Sequence, residues 1–145
     1  MIPTFIHKLT SQYPSQVTLR ALLDLSYSAD WQKRVDVAEK LGALVDEPAA
    51  GERLTELLHD PGDIAVQTAA ANALTRQGGV AGLLAVLGEI GRRSDDADVD
   101  YIAYLLYGME GMGEYPVLET ASKIPSEAMT DNARIGLARI ERLLG

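Results

Sequence analysis

The apolar residues of this chain recur three and four positions apart along its whole length, and no stretch keeps the strict alternation that a half-buried strand requires. The pattern predicts helices at roughly 3–12, 15–26, 31–45, 49–59, 63–77, 80–91, 97–109, 116–123 and 127–144. Proline marks the divisions. Pro14, Pro48, Pro61, Pro116 and Pro125 fall where helices begin, which suits a residue tolerated in the first turn and costly further in. Helices this short, joined by short loops, form αα-hairpins.

The hairpins repeat. A shift from 30 to 63 to 96 superimposes Asp30, Asp63 and Asp96, each placed to accept a bond from a free backbone N–H at a helix start. The same shift aligns Val37, Ala70 and Ala103, then Ala38, Ala71 and Tyr104, then Leu41, Leu74 and Tyr107, so one apolar stripe occurs three times. Gly42 and Gly108 also match, with Thr75 between them. The second helices follow with some slippage: Leu54, Leu57 and Leu58, then Leu83, Leu84 and Leu87, then Val117, Leu118 and Ala121, with a poorer copy at Ala133, Leu137 and Ile140. One helix pair cannot bury its own apolar face, so such a repeat predicts stacked neighbours.

The stretch from Asp60 to Leu74, Asp-Pro-Gly-Asp-Ile-Ala-Val-Gln-Thr-Ala-Ala-Ala-Asn-Ala-Leu, resembles the first helix of a HEAT repeat, with its aspartate-containing turn, its valine and its Ala-Ala-x-Ala-Leu run. The resemblance covers residues 30 to about 110. It implies an all-α, right-handed α–α superhelix, or solenoid, of about four HEAT-like hairpins in a single domain spanning 1–145. Residues 1–29 would be N-terminal capping helices, 30–59, 60–91 and 96–123 the repeats, and 126–144 a C-terminal capping helix. The family's usual arginine after the valine is Gln67 here, with Arg34 and Asp100 at the equivalent sites, and the period of 33 is short. Since that arginine commonly bonds to an aspartate of the neighbouring repeat, the departure implies an incomplete ladder.

Composition narrows the partner. At 145 residues the chain is long enough to bury a core without metal or disulfide support, and its lack of cysteine removes thiolate sites. With 13 Lys+Arg against 21 Asp+Glu the formal charge is -8, which disfavours nucleic acid, whose binding depends on displaced counterions. No apolar run approaches the roughly 20 residues of a membrane span. The N-terminus, MIPTFIHKLTSQYP, lacks the basic and apolar regions of a secretory signal, so a cytoplasmic protein without membrane attachment is expected.

No catalytic or cofactor-binding set stands out. Asp96-x-Asp98-x-Asp100 imitates the opening of a calcium loop, but Tyr101 and Tyr107 replace the glycine and glutamate that such a loop needs. Gly108-Met109-Glu110-Gly111-Met112-Gly113 follows a helix and has no lysine to meet a phosphate, so it reads as a turn. His7 and His59 are the only histidines, and no Gly-x-Ser-x-Gly elbow exists. The paired His-Glu motifs of HEAT-like iron hydroxylases are absent, no thiol is available for bilin attachment, and the chain is acidic where HEAT-like glycosylases are basic. No enzyme, metal or cofactor is expected.

What remains is a face for a partner protein. In HEAT-like solenoids the second helices usually line the concave side, and the helix at 80–91 is apolar all round, with Gly82, Ala85, Val86 and Glu89 opposite Leu83, Leu84 and Leu87. Burial by its own neighbours competes with a partner groove there. Glu52, Arg53, Glu56 and His59 on the preceding second helix offer a mostly acidic rim, and Trp31 a large amphipathic ring at a helix start. Tyr101, Tyr104 and Tyr107 follow at spacings of three, with Tyr115 near them, so at least one hydroxyl should reach solvent. The leading expectation is a non-enzymatic scaffold or adaptor that binds a protein carrying a basic patch. The alternatives are an acidic inhibitor such as an immunity protein or antitoxin, a HEAT-like enzyme or cofactor-binding protein using carboxylates such as Glu52, Glu56, Asp96 or Asp98, and a homodimer paired through an edge hairpin.

Overall fold

The computed structural model describes residues 18–60 and 62–145, and among them every regular element is helical. The expected segment 3–12, the start of the next one, His7, Pro14 and Pro61 lie outside the described residues. Residues 18–25 form α1. Then follow α2 (Trp31–Gly42), α3 (Pro48–Leu58), α4 (Ile64–Gln77), α5 (Gly79–Arg92), a 3-10 turn (Ala97–Val99), α6 (Asp100–Gly111), α7 (Val117–Ser122) and α8 (Asp131–Leu144).

Local chemistry sets the starts. Asp30 accepts from the Gln32 amide at 3.0 Å, Asp63 from the Ala65 and Val66 amides at 2.8 and 3.2 Å, and Asp96 from the Asp98 amide at 2.9 Å. Each bond satisfies a donor that the helix itself cannot. Pro48 occupies the first turn of α3, where its missing N–H costs nothing. The last helix begins at Asp131 instead of 127, because Thr130 accepts from the Ala133 amide at 3.1 Å and the chain turns over Pro125–Met129 before it.

Helices α2, α4 and α6 pack in sequence, α2 against α4 and α4 against α6, while α3 packs on α2 and α4, and α5 on α4. The core runs between these helices through Leu41, Leu54, Leu58, Leu74, Leu83, Leu87, Ile102 and Leu106, all at or near zero exposure. Each such side chain contributes about 1.5–3 kcal/mol by leaving water. The most extensive helix pair is α5 with α8. Two glycines permit it: a methyl group at Gly136 would overlap the Leu87 carbonyl, and one at Gly91 the Asn132 carbonyl. The two backbones therefore touch where any side chain would separate them.

The threefold apolar stripe is buried in α2 and α4 and only partly in α6. Val37, Ala70 and Ala103 are all buried, as are Ala38, Ala71, Leu41 and Leu74, yet Tyr104 and Tyr107 are 57% and 40% exposed. Glycine shows why. A methyl group at Gly42 would strike Ala73 and Gln77 of α4, whereas one at the equivalent Gly108 would meet open space. The face that α2 turns toward α4 has no counterpart beside α6.

Candidate interaction surfaces

Two clefts on the described surface take in some of the residues expected to meet a partner, Trp31 and His59 in one and Glu52, Gly82 and Ala85 in the other. The first, about 660 Å³, lies along the edge where second helices end and first helices begin. Trp31 at the start of α2, His59 just after α3, Gly62 to Ala65 at the start of α4, Arg92 and Arg93 at the end of α5, and Gln67, Asp96 and Asp98 line it. Trp31 is 45% exposed there, so it stands as a half-open wall.

Beneath this cleft sits Glu89, whose side chain has no exposure at all. A buried carboxylate is tolerated only with partners, and this one has three. Arg92 grips both oxygens, Nε to Oε1 at 2.8 Å and Nη2 to Oε2 at 2.9 Å; Arg93 donates to Oε2 at 3.3 Å; and His59 places Nδ1 2.8 Å from Oε1. Burial pushes the Glu89 carboxyl up, but the Arg92 hydrogen bond and the charges of His59 and Arg92 outweigh it and hold the group below its usual range. The same bond raises Arg92 above the ordinary arginine value.

The cluster extends across three helices. Arg93 also donates to Gln67 Oε1 at 2.9 Å and to Asp96 Oδ2 at 3.0 and 3.2 Å, and Gln67 in turn donates to the Asp60 carbonyl. Asp60 meets Arg34 at 3.6 Å. Its backbone bond to Asp98, together with Arg93, holds the exposed Asp96 carboxyl below the usual range. Position 67 is therefore occupied by an amide with partners on both sides.

A smaller groove of about 300 Å³ opens between α3 and α5, lined by Val45, Gly51, Glu52, Thr55, Leu74, Gly78, Ala81, Gly82 and Ala85. Glu52 is exposed at its lip, beside a turn that carries exposed Asp46 and Glu47. Ala85 is half-buried in its wall. Gly82 and Val86 are buried: a methyl group at Gly82 would overlap the Leu74 carbonyl, and Val86 has no exposure. Val86 and Glu89 face the protein's own core, which corrects their placement on a partner-facing surface, while Gly82 lines the floor of the groove; α5 is covered by its neighbours over most of its girth.

Arg53 and Glu56 are engaged locally. Arg53 donates to Ser26 Oγ at 2.7 Å and to the Ser26 carbonyl at 3.0 Å, pairs with Glu56 at 2.9 Å, and lies 3.7 Å over the Tyr27 ring. It ties the end of α1 to α3. A third cleft, about 640 Å³, runs over α2, α4 and α6 past Val35, Glu39, Ala65, Ala69, Tyr101 and Leu105.

The carboxylates at 96, 98 and 100 diverge, since Asp96 binds Arg93 and Asp100 pairs with Arg139. Among the described residues, no three His, Asp or Glu side chains are grouped as metal ligands. No described helix is long and apolar enough to cross a membrane. Gly113, with φ 69°, makes the turn after α6 that the glycine-rich run predicts. Of the four tyrosines in that region, Tyr101 is 60% exposed, Tyr104 and Tyr107 meet edge to face with centroids 6.5 Å apart, and Tyr115 is half-buried.

Arg92, Arg93 and Gln67 were absent from the expected site. A signal existed: Glu89 interrupts an apolar helix, and arginines three and four residues later share its face. No family model matches the chain, and no curated protein or solved structure is significantly similar to it.

Proposed function

We propose that the protein is a non-enzymatic interaction module, a right-handed superhelix of about four HEAT-like hairpins that holds a basic segment of a partner protein against α3 and α5. The observation that carries this reading is the groove between those helices, apolar along its floor, with Glu52 at its lip and exposed Asp46 and Glu47 following its lining residue Val45 in the chain. Small residues at Gly51, Ala81 and Ala85 let a partner chain approach closely, and the carboxylates favour one with lysine or arginine beside its apolar contacts. Much of the chain's own positive charge is spent internally: Arg34, Lys40, Arg53, Arg76, Arg92, Arg93, Arg134 and Arg139 all pair with carboxylates. The test is capture from native lysate, identification by mass spectrometry, and then binding kinetics with the purified partner. Association should slow as salt rises, Glu52→Lys should slow it further, and Ala85→Arg should weaken the complex by tenfold or more, on the order of 1.4 kcal/mol. A partner whose affinity ignores both substitutions and salt would overturn the reading.

A second reading, a homodimer through the edge of α6, is favoured by the open side that carries Tyr104, Tyr107 and Met112, the last 76% exposed. Light scattering distinguishes it. A dimer that Tyr104→Glu converts to monomer would support it, and a monomeric wild type would dismiss it.

A further inference from the structure

We propose that the cleft at the loop edge binds an organic cation, a guanidinium or primary ammonium group, between the face of Trp31 and the carboxylates of Asp63 and Asp98. Charge accounting within the cleft decides the sign of the ligand. Arg92 is matched by the buried Glu89, which grips it through two bonds, and Arg93 by Asp96. These two arginines present little net charge to an incoming anion. Asp63 and Asp98 line the same cleft and have no cationic partner among the described ion pairs. Only one Asp63 oxygen is taken up by the α4 amides.

Trp31 is the third component. The residue is 45% exposed on the wall of a cleft of about 660 Å³, large enough for a side chain of arginine length. A cation over an indole face is attracted by the ring quadrupole, and indole is the best of the aromatic side chains for this. Ile64 and Ala65 supply apolar floor for a methylene stem. The ligand is thus a flat or compact cation on an aliphatic chain. Such a group arrives either on a free small molecule, such as a polyamine, or on a side chain of a peptide, and this inference stands apart from the α3–α5 groove.

Trp31 is the only tryptophan, so its emission reports on this cleft alone. The full chain is titrated at constant ionic strength with N-acetylarginine amide, spermidine, a short peptide with one central arginine, and, as anions, phosphate and N-acetylglutamate amide. A saturable emission change is expected with the cations, near about 1 mM for the arginine derivative, and none with the anions. Asp98→Asn, which leaves the Asp96 cap in place, should weaken the cation about twofold to fivefold with an unchanged thermal midpoint. Trp31→Leu, read by calorimetry, should weaken it by a similar factor. Tighter binding of the peptide than of spermidine assigns the cation to a polypeptide side chain, and the reverse order to a free polyamine. The proposal is overturned if no cation gives a saturable response, if an anion gives the response instead, or if Asp98→Asn leaves the affinity unchanged. Because no partner protein enters this experiment, its failure leaves the groove reading intact.

Discussion

Replacing Glu89 by glutamine keeps the volume of a fully buried side chain and removes only its charge, which makes it a direct measure of what the polar cluster contributes. The wild-type carboxylate accepts two close bonds from Arg92, a longer one from Arg93 and one at 2.8 Å from His59. An amide has a single oxygen, so one of its N–H groups must face an arginine or the histidine. Leaving a buried charge without its counter-ion costs about 3–5 kcal/mol. Two features reduce that here: the Arg92 side chain is 53% exposed and turns to water, and Arg93 keeps Asp96 and Gln67. The expected loss is about 3 kcal/mol. For a chain of this length that corresponds to a midpoint lower by about 10 °C, read by circular dichroism at neutral pH and by urea unfolding. A loss under about 1 kcal/mol would refute the account.

The same pair of proteins carries a pH signature. Glu89 titrates below its usual range in the folded chain, so the unfolded chain takes up the proton first. Its contribution is complete above the ordinary glutamate value of about 4.3 and is lost as pH falls through the lowered folded value. The gap between wild type and Glu89→Gln should therefore narrow as pH falls below about 4. A gap that persists unchanged through this acid range would show that the substitution acts through shape instead of charge.

Glycine substitutions should split by location. Gly136→Ala, which forces a methyl into the Leu87 backbone, should cost about 1–3 kcal/mol, whereas Gly88→Ala, whose methyl meets nothing, should stabilise α5 by up to about 1 kcal/mol; equal thermal shifts would contradict the contact. Asp63→Ala should cost about 1 kcal/mol through the lost cap on α4, measured by urea unfolding.

The sequence revealed the parts of the fold that depend on neighbours in the chain. Caps at Asp30, Asp63 and Asp96 bond two residues ahead, and the apolar spacing within each helix needs no distant partner, so both were legible. What α8 packs against was not. Its choice of α5 depends on Gly91 and Gly136 bringing two backbones together across the length of the third hairpin, and a glycine in a helix does not announce its partner. The site divided in the same way. Trp31 and His59 were legible as large or titratable groups at helix ends, and Glu52 and Ala85 as neighbours on second helices. Val86 and Glu89 were misplaced because an all-round apolar helix does not state which side its neighbours leave open.

The positions equivalent under the repeat, Arg34, Gln67 and Asp100, carry three different chemistries yet each makes a link to another element. Arg34 reaches Asp60 and the Ser28 carbonyl, Gln67 bridges the Asp60 carbonyl and Arg93, and Asp100 pairs with Arg139. What repeats is a location at the junction between hairpins. At Gln67 a neutral amide is required because the cation already comes from the other side: Arg93 donates into the Gln67 oxygen from the end of α5. An arginine at 67 would set a third guanidinium beside Arg92 and Arg93, around a single buried carboxylate. Gln67 is 3% exposed, so the added charge could not escape readily to water. Gln67→Arg alone should therefore destabilise by about 2 kcal/mol or more. Combining it with Arg93→Gln exchanges donor and acceptor across the same junction and should recover at least half of that loss, a coupling that a double-mutant cycle in urea measures directly. If the two losses simply add, the amide at 67 is not tied to Arg93, and the junction is held by packing instead of by matched charge.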